Sequence, residues 1–235
     1  HYRKNTEVPH GWRYLKPNLR TIKEIYSIGL PAIIMQALMS FMTYGINIIF
    51  GMVSAAAVTA YGIFYKIQQF PFFAGFGLRD AITPLVSFNY GRGNQKRVKE
   101  GITYGLLYIS VMMLVGTVVL EIFAEPLVGL FALSGETTAL CALAVRIISA
   151  GFLFAGGNIA LQGVFQALGC GLSSLVTSLL RLCVLVLPVA WLFTKTSEPL
   201  FWIWFTFPIA EAGALVVSAF LVVRANRGVI KKMGS

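Results

Sequence analysis

Six apolar stretches, each near or above the length that crosses a bilayer, fill the chain from Tyr26 to Val223. The hydrocarbon core is about 30 Å thick and takes about 20 helical residues to span. The stretches fall at residues 26–50, 56–86, 101–123, 139–165, 172–194 and 201–223. The chain therefore reads as all-α: a polytopic membrane protein built as a bundle of six transmembrane helices. Residues 1–25 read as a linker at headgroup level, 26–223 as one membrane domain and 224–235 as a basic tail.

Composition supports this solvent. Hydrophobic residues make up 57% of the chain and charged residues 12%, against about 25% charged in an average soluble domain. The connectors are too short to hold an aqueous domain with its own active site. The first residues are polar and basic, with no signal peptide, and the chain starts at His1 rather than Met, as a piece of something longer would.

A net charge of +10 raises nucleic acid as a partner, but the placement of the basic residues argues against it. With six spans, one side of the membrane holds Arg3, Lys4, Arg13, Lys16, Arg20 and Lys23, then Arg92, Lys96, Arg97 and Lys99, then Arg224, Arg227, Lys231 and Lys232. The other side holds Lys195 beside Glu125, Glu136 and Glu198. Cytoplasmic loops carry the Lys/Arg excess, so both termini are expected in the cytoplasm, facing anionic membrane lipid. Cys141, Cys170 and Cys183 are odd in number, lack metal spacing and read as small core residues.

Span two is long. Its 31 residues would stretch to about 46 Å at 1.5 Å per residue, and Pro71, Gly75, Gly77 and Pro84 offer places to bend, so a broken helix is expected there. The following Gly91-Arg92-Gly93-Asn94 superficially resembles a phosphate loop, but it lacks the Gly-Lys-Ser/Thr ending and follows a membrane helix. It reads as a tight turn. Gly169-Cys170-Gly171 reverses the chain again, with Ser173 or Ser174 placed to cap span five.

Ionised groups inside a span cost about 2.5–3.5 kcal/mol each and normally face protein or water. Arg79 and Asp80 sit late in span two, Arg181 mid span five and Glu211 mid span six. Counted from the ends sharing one membrane face, Arg181 and Glu211 differ in depth by about 4.5 Å, a gap an arginine covers, so the two are expected to pair. That pair either locks two helices or lines a cavity. Asp80 is a candidate for cation or proton coupling, or a local ion pair of Arg79. Lys66 falls within about 40° of Asp80 on an ideal helix and either flanks the same cavity or snorkels.

Two uncharged stripes join this set. Gln36, Ser40, Thr43 and Asn47 share a face of span one, and Asn158, Gln162 and Gln166 a face of span four. They serve either interhelical hydrogen bonding or a wet cleft. Arg146 is expected to snorkel or to meet Glu121, Glu125 or Glu136. The aromatics Phe64, Phe70, Phe72, Phe73 and Phe76 surround the expected break as packing residues, although aromatic surface also suits organic cations.

Gly29-Leu30-Pro31, the run from Pro84 to Asn94, Gln166-Ala167-Leu168-Gly169, Leu180-Arg181 and Leu187-Pro188 resemble, in order and spacing, the C-terminal lobe of the multidrug and toxin extrusion (MATE) family. The resemblance covers nearly the whole chain. It implies twelve helices in two pseudo-symmetric bundles of six, exporting drugs or toxic organic cations against proton or sodium entry across the plasma (inner) membrane. Residues 1–25 would be the inter-lobe linker, and the partners would be an N-terminal six-helix lobe and a small organic cation. No cofactor is implied beyond H+ or Na+ as coupling ion. Some branches carry acidic residues in the helices matching spans one and four, where this sequence has Gln36 and the Ala155-Gly156-Gly157-Asn158 region. Asp80 and Glu211 are then the coupling candidates, unless coupling lies in the other lobe. Arg79, Arg181 and Lys66 are their charge partners, and the two stripes line the cleft.

A lipid flippase of the same fold is the nearest alternative, and a non-transporting scaffold subunit another. An enzyme fits poorly: His1 and His10 both lie outside the spans, and no metal-binding spacing or Ser/His/Asp set appears.

Overall fold

The structure is a computed structural model and describes residues 17–225, the side chains of Glu24, Ser27, Ile28, Pro31 and Ala32 excepted. The remainder of the expected linker and of the basic tail lies outside the described residues. Within them the elements are α1 (Leu19–Gly51), α2 (Ala55–Gly91), α3 (Gln95–Gly129), α4 (Gly135–Ser149), α5 (Phe152–Ala167), α6 (Gly171–Leu179), a π-helical turn (Leu180–Val184), α7 (Val186–Phe193), α8 (Pro199–Trp202), a 3₁₀ turn (Ile203–Phe205) and α9 (Thr206–Ala225).

Short polar residues start the long helices. Asn18, Ser54 and Asn94 each accept a backbone N–H in the first turn of α1, α2 and α3, from Arg20, Ala57 and Arg97. The Asn18 cap starts α1 inside the stretch read as linker. Gly93 takes φ +71° between α2 and α3, so the Gly-Arg-Gly-Asn run is a helix-to-helix turn, and Gly169 does the same at φ +73° between α5 and α6. Cys170, not Ser173 or Ser174, holds the cap position of α6.

Four helical segments are long and apolar enough to cross a membrane: Ile33–Gly51 in α1, Gln95–Gly129, Gly171–Phe193 and Pro199–Ala225. The pair α4 and α5, bent by 51° at Ala150-Gly151, makes a fifth. The sixth expected span differs. At 37 residues, α2 reaches about 55 Å, but Lys66, Gln68, Gln69, Arg79 and Asp80 make it too polar to qualify on composition.

The breaks also fall elsewhere than expected. Helix α2 runs through Pro71 and Pro84 without interruption. Its neighbour closes over the proline, with Pro71 Cβ only 2.8 Å from where a Cβ on Gly116 of α3 would sit. The bend instead lies in span four, where a Cβ on Gly151 would stand 2.8 Å from Pro208 Cα. A second irregularity lies in span five, where Leu185 N–H reaches Leu180 O at 2.9 Å, five residues back. Pro188 accounts for the widening, because its ring displaces the carbonyl of Val184 four residues before it.

Helix α5 is the centre of the bundle, buried over most of its length, with α2, α3, α6 and α9 packed around it. At the end away from the basic loop the core is aromatic: Phe50 meets Trp204 edge-on at 5.3 Å and Tyr61 at 5.6 Å, and Tyr61 stacks on Phe207 at 5.6 Å. Toward the basic end the side chains become polar, and a small cluster of Val86, Val98, Val164, Ala167 and Leu168 closes the bundle.

Candidate functional site

A cleft opens along α1, α2, α5 and the π-helical turn. Its main chamber, about 510 Å³, is lined by Met35, Gln36, Met39, Tyr65, Gln69, Phe73, Phe76, Arg79, Gln162, Gln166, Ser178 and Arg181. It continues toward the aromatic end past Ser40, Thr43 and Asn47, and inward past Gln68 and Phe72 to Glu211. Chambers of a few hundred Å³ with mixed apolar and polar walls suit drug-sized ligands.

Two polar networks brace the cleft. In the first, Arg79 Nε donates to Asp80 Oδ1 at 2.9 Å and its Nη1 to Gln162 Oε1 at 3.0 Å. Gln162 Nε2 donates in turn to Ser178 Oγ at 2.8 Å. Gly163 makes the first link possible, since a Cβ there would lie 2.5 Å from Arg79 Cγ. Ser174, inside the first turn of α6, accepts from Gln166 and touches the Met35 thioether, both at 3.4 Å.

In the second network Arg181 Nε donates to Glu211 Oε1 at 2.5 Å, the pairing that depth counting along the spans predicts. Asn158 Nδ2 donates to Glu211 Oε2 at 2.8 Å and to the Glu211 carbonyl at 2.9 Å, while Ser218 Oγ lies 3.1 Å from Asn158 Oδ1. The Arg181 and Glu211 side chains are 11% and 16% exposed. A buried pair persists when further hydrogen bonds satisfy both ions. Asn158 supplies them to Glu211 here.

Several sequence-predicted residues stand apart. Asp80 is 66% exposed and outside the cleft, held by Arg79. Lys66 is also exposed and outside it. Expected cleft-lining Asn158 is buried behind the wall, facing α9. Each four-residue step turns a helix by about 40° beyond a full revolution, so Asn158 and Gln166 point in directions about 80° apart. Gln162 and Gln166 line the cleft; Asn158 braces it. On α1 the side chains of Thr43 and Asn47 bond back to carbonyls one turn earlier while lining the cleft. Phe73 and Phe76 line it too, whereas Phe70 projects outward at 81% exposure. Arg146 meets Glu125 at 3.1 Å near the opposite end. Sequence reasoning missed Ser178, Ser218 and two glycines of the buried helix α5: Gly163, and Gly157, where an added Cβ would lie 2.8 Å from Leu215 Cδ1.

Among the described residues no group of three His, Cys, Asp or Glu side chains comes together as a metal site. The family profile described as MatE matches residues 31–192, well over half of the chain. The chain belongs to the MatE family. MatE proteins are transporters, and this member is an integral membrane protein with the fold of one MATE lobe. The multidrug export protein MepA of Staphylococcus aureus (strain N315) is 26% identical over 187 residues, covering 79% of this chain and 41% of MepA. A MATE crystal structure in the bent conformation superposes with a TM-score of 0.88 at 20% identity, covering 99% of this chain and 52% of the other. A MOP superfamily transporter from Pyrococcus furiosus Vc1 (DSM3638), described as having a binding pocket of reverse polarity that suggests a different function, gives 0.86 at 21% identity, with 99% and 52% covered. The chain thus spans about half the length of the MatE relatives it matches.

Proposed function

We propose that this lobe, with a second lobe of the same transporter, performs secondary active efflux of amphipathic drug-like compounds by ion-coupled antiport and alternating access. The observation that carries this is the cleft: a chamber of about 510 Å³ on one flank of a six-helix lobe, walled by the ionised and amide side chains that a membrane protein keeps away from lipid. Family membership and likeness to a multidrug export protein support the same reading. The basic end faces the cytoplasm of the plasma membrane, in accord with the Lys/Arg distribution.

Coupling rests on Glu211 in this reading. It is the carboxylate at the cleft, held between Arg181 and Asn158, so a proton or Na+ that takes over Arg181's role frees the guanidinium and loosens α9 from span five. Asp80 is the second candidate, acting through Arg79 and Gln162. In vesicles holding the full-length protein, an imposed proton or sodium gradient drives ethidium export. Glu211→Gln abolishes that export, and Asp80→Asn retains most of it. The opposite result moves coupling to Asp80, and ethidium movement indifferent to both gradients removes antiport.

Flippase activity toward amphipathic lipids is favoured by one observation: both ionised residues lining the main chamber are arginines. Lipid-flipping assays on the same vesicles separate it from drug efflux.

A further inference from the structure

The charges of the cleft are unevenly spoken for. Each oxygen of Glu211 is engaged, Oε1 by Arg181 and Oε2 by Asn158. Asp80, the other intramembrane carboxylate near the cleft, lies outside its lining and is bound by Arg79. Arg181 differs. Its Nε is used by Glu211, but among the described residues nothing engages its two Nη nitrogens, although the side chain lines both the main chamber and the inner chamber. Arg79 has spent more of its fork, with Nε and Nη2 on Asp80 and Nη1 on Gln162.

A guanidinium carries five N–H donors in a plane and matches a carboxylate or phosphate with two parallel bonds. The edge of Arg181 left free is the Nη1–Nη2 edge, and it is pre-positioned: the Glu211 bond and burial fix the group, so little entropy is lost when a ligand binds. Phe73, Phe76 and Tyr65 stand in the same chamber as flat apolar surface, and Met35 and Met39 supply adaptable packing.

Resting on the efflux reading above, we infer that this lobe selects ligands bearing an anionic group on an aromatic body, and that Arg181 is the specificity-determining residue. The anionic group takes the two Nη donors and the ring system lies against Phe73 and Phe76. A positive charge elsewhere on the ligand is tolerated, but no unengaged carboxylate in this lobe's cleft, among the described residues, receives it. Cations without an anionic group, such as ethidium, are still carried but bind more weakly, so zwitterionic or anionic cargo is preferred.

The test uses rhodamine B and its ethyl ester, which share one ring system and differ by a free carboxylate. Binding to the full-length protein in lipid nanodiscs is read by fluorescence anisotropy. The expected result is at least tenfold tighter binding of rhodamine B. Arg181→Gln, which leaves Glu211 unpaired at the cleft, reverses the preference toward the cationic ester. The double variant Arg181→Gln/Glu211→Gln, neutral at both positions, binds the two dyes within twofold. Equal or tighter binding of the ester by the wild-type protein overturns the inference without recourse to any variant, as does failure of both dyes to bind. A preference surviving in the double variant removes Arg181 from it. The efflux reading is judged separately: carboxylate preference without gradient-driven export leaves the inference standing and defeats the transport reading, and ethidium export with ester preference does the reverse.

Discussion

The aromatic end and the polar half of the lobe are held by different physics. Around Phe50, Tyr61 and Trp204 the rings interlock edge to face and the side chains are almost fully buried, with Phe207 stacked on Tyr61. Lipid tails are as apolar as these rings, so the gain comes from dispersion and close fit rather than from escape out of water. In the polar half the helices meet through Arg181, Glu211, Asn158, Gln162 and Ser178, and what matters there is whether each group has its partner. One region is sensitive to volume and the other to pairing.

The largest effect should come from removing volume. Trp204→Ala empties a fully buried site and is expected to cost about 3–5 kcal/mol in thermal unfolding of the solubilised protein. A loss below about 1 kcal/mol, against the large-to-small expectation, would mean that lipid or detergent refills the site. Pairing is tested next. Glu211→Ala alone should cost about 3 kcal/mol because it strands Arg181, whereas the joint change Arg181→Met/Glu211→Leu should stay within about 1 kcal/mol of the wild type. If the double change costs as much as the single, the polar half also depends on shape and the contrast fails.

A third change sits where the two regions join. Gly151→Ala sets a methyl group against the backbone of Pro208, an atom that cannot rotate away, and overpacking of this kind costs about 1–3 kcal/mol. The smallest effect has the opposite sign. Thr206 Oγ1 is buried with no hydrogen-bond partner among the described residues, so Thr206→Val, which keeps the shape and deletes the hydroxyl, should raise stability by about 1 kcal/mol. A destabilised Thr206→Val protein would place a hidden partner at that hydroxyl.

The same contrast explains what the sequence disclosed. Apolar length is a local property, so the spans other than α2 are readable one at a time. The Arg181–Glu211 contact was also legible, because depth along a helix follows from counting residues. Rotation about a helix axis is less accessible. Which neighbour Asp80 and Asn158 each face depends on how α2 and α5 turn in the packed bundle, and a stripe with a four-residue repeat drifts around its helix. The interruption expected at Pro71 went wrong for a related reason. A proline removes one donor, and the opposing Gly116 lets α3 fill the gap, whereas the bend at Ala150-Gly151 is fixed by contact with Pro208, more than fifty residues onward in the chain.

The widened turn at Leu180–Val184 has an evolutionary corollary. Such a turn is the footprint of a one-residue insertion in an ordinary helix, so a homologue shorter by one position there would regain standard winding. The wide turn absorbs that residue locally, so the helix on either side would keep its facing. Insertion and deletion at this point can change the bearing of Arg181, which sits inside the turn, while leaving both flanks of the span packed as they are.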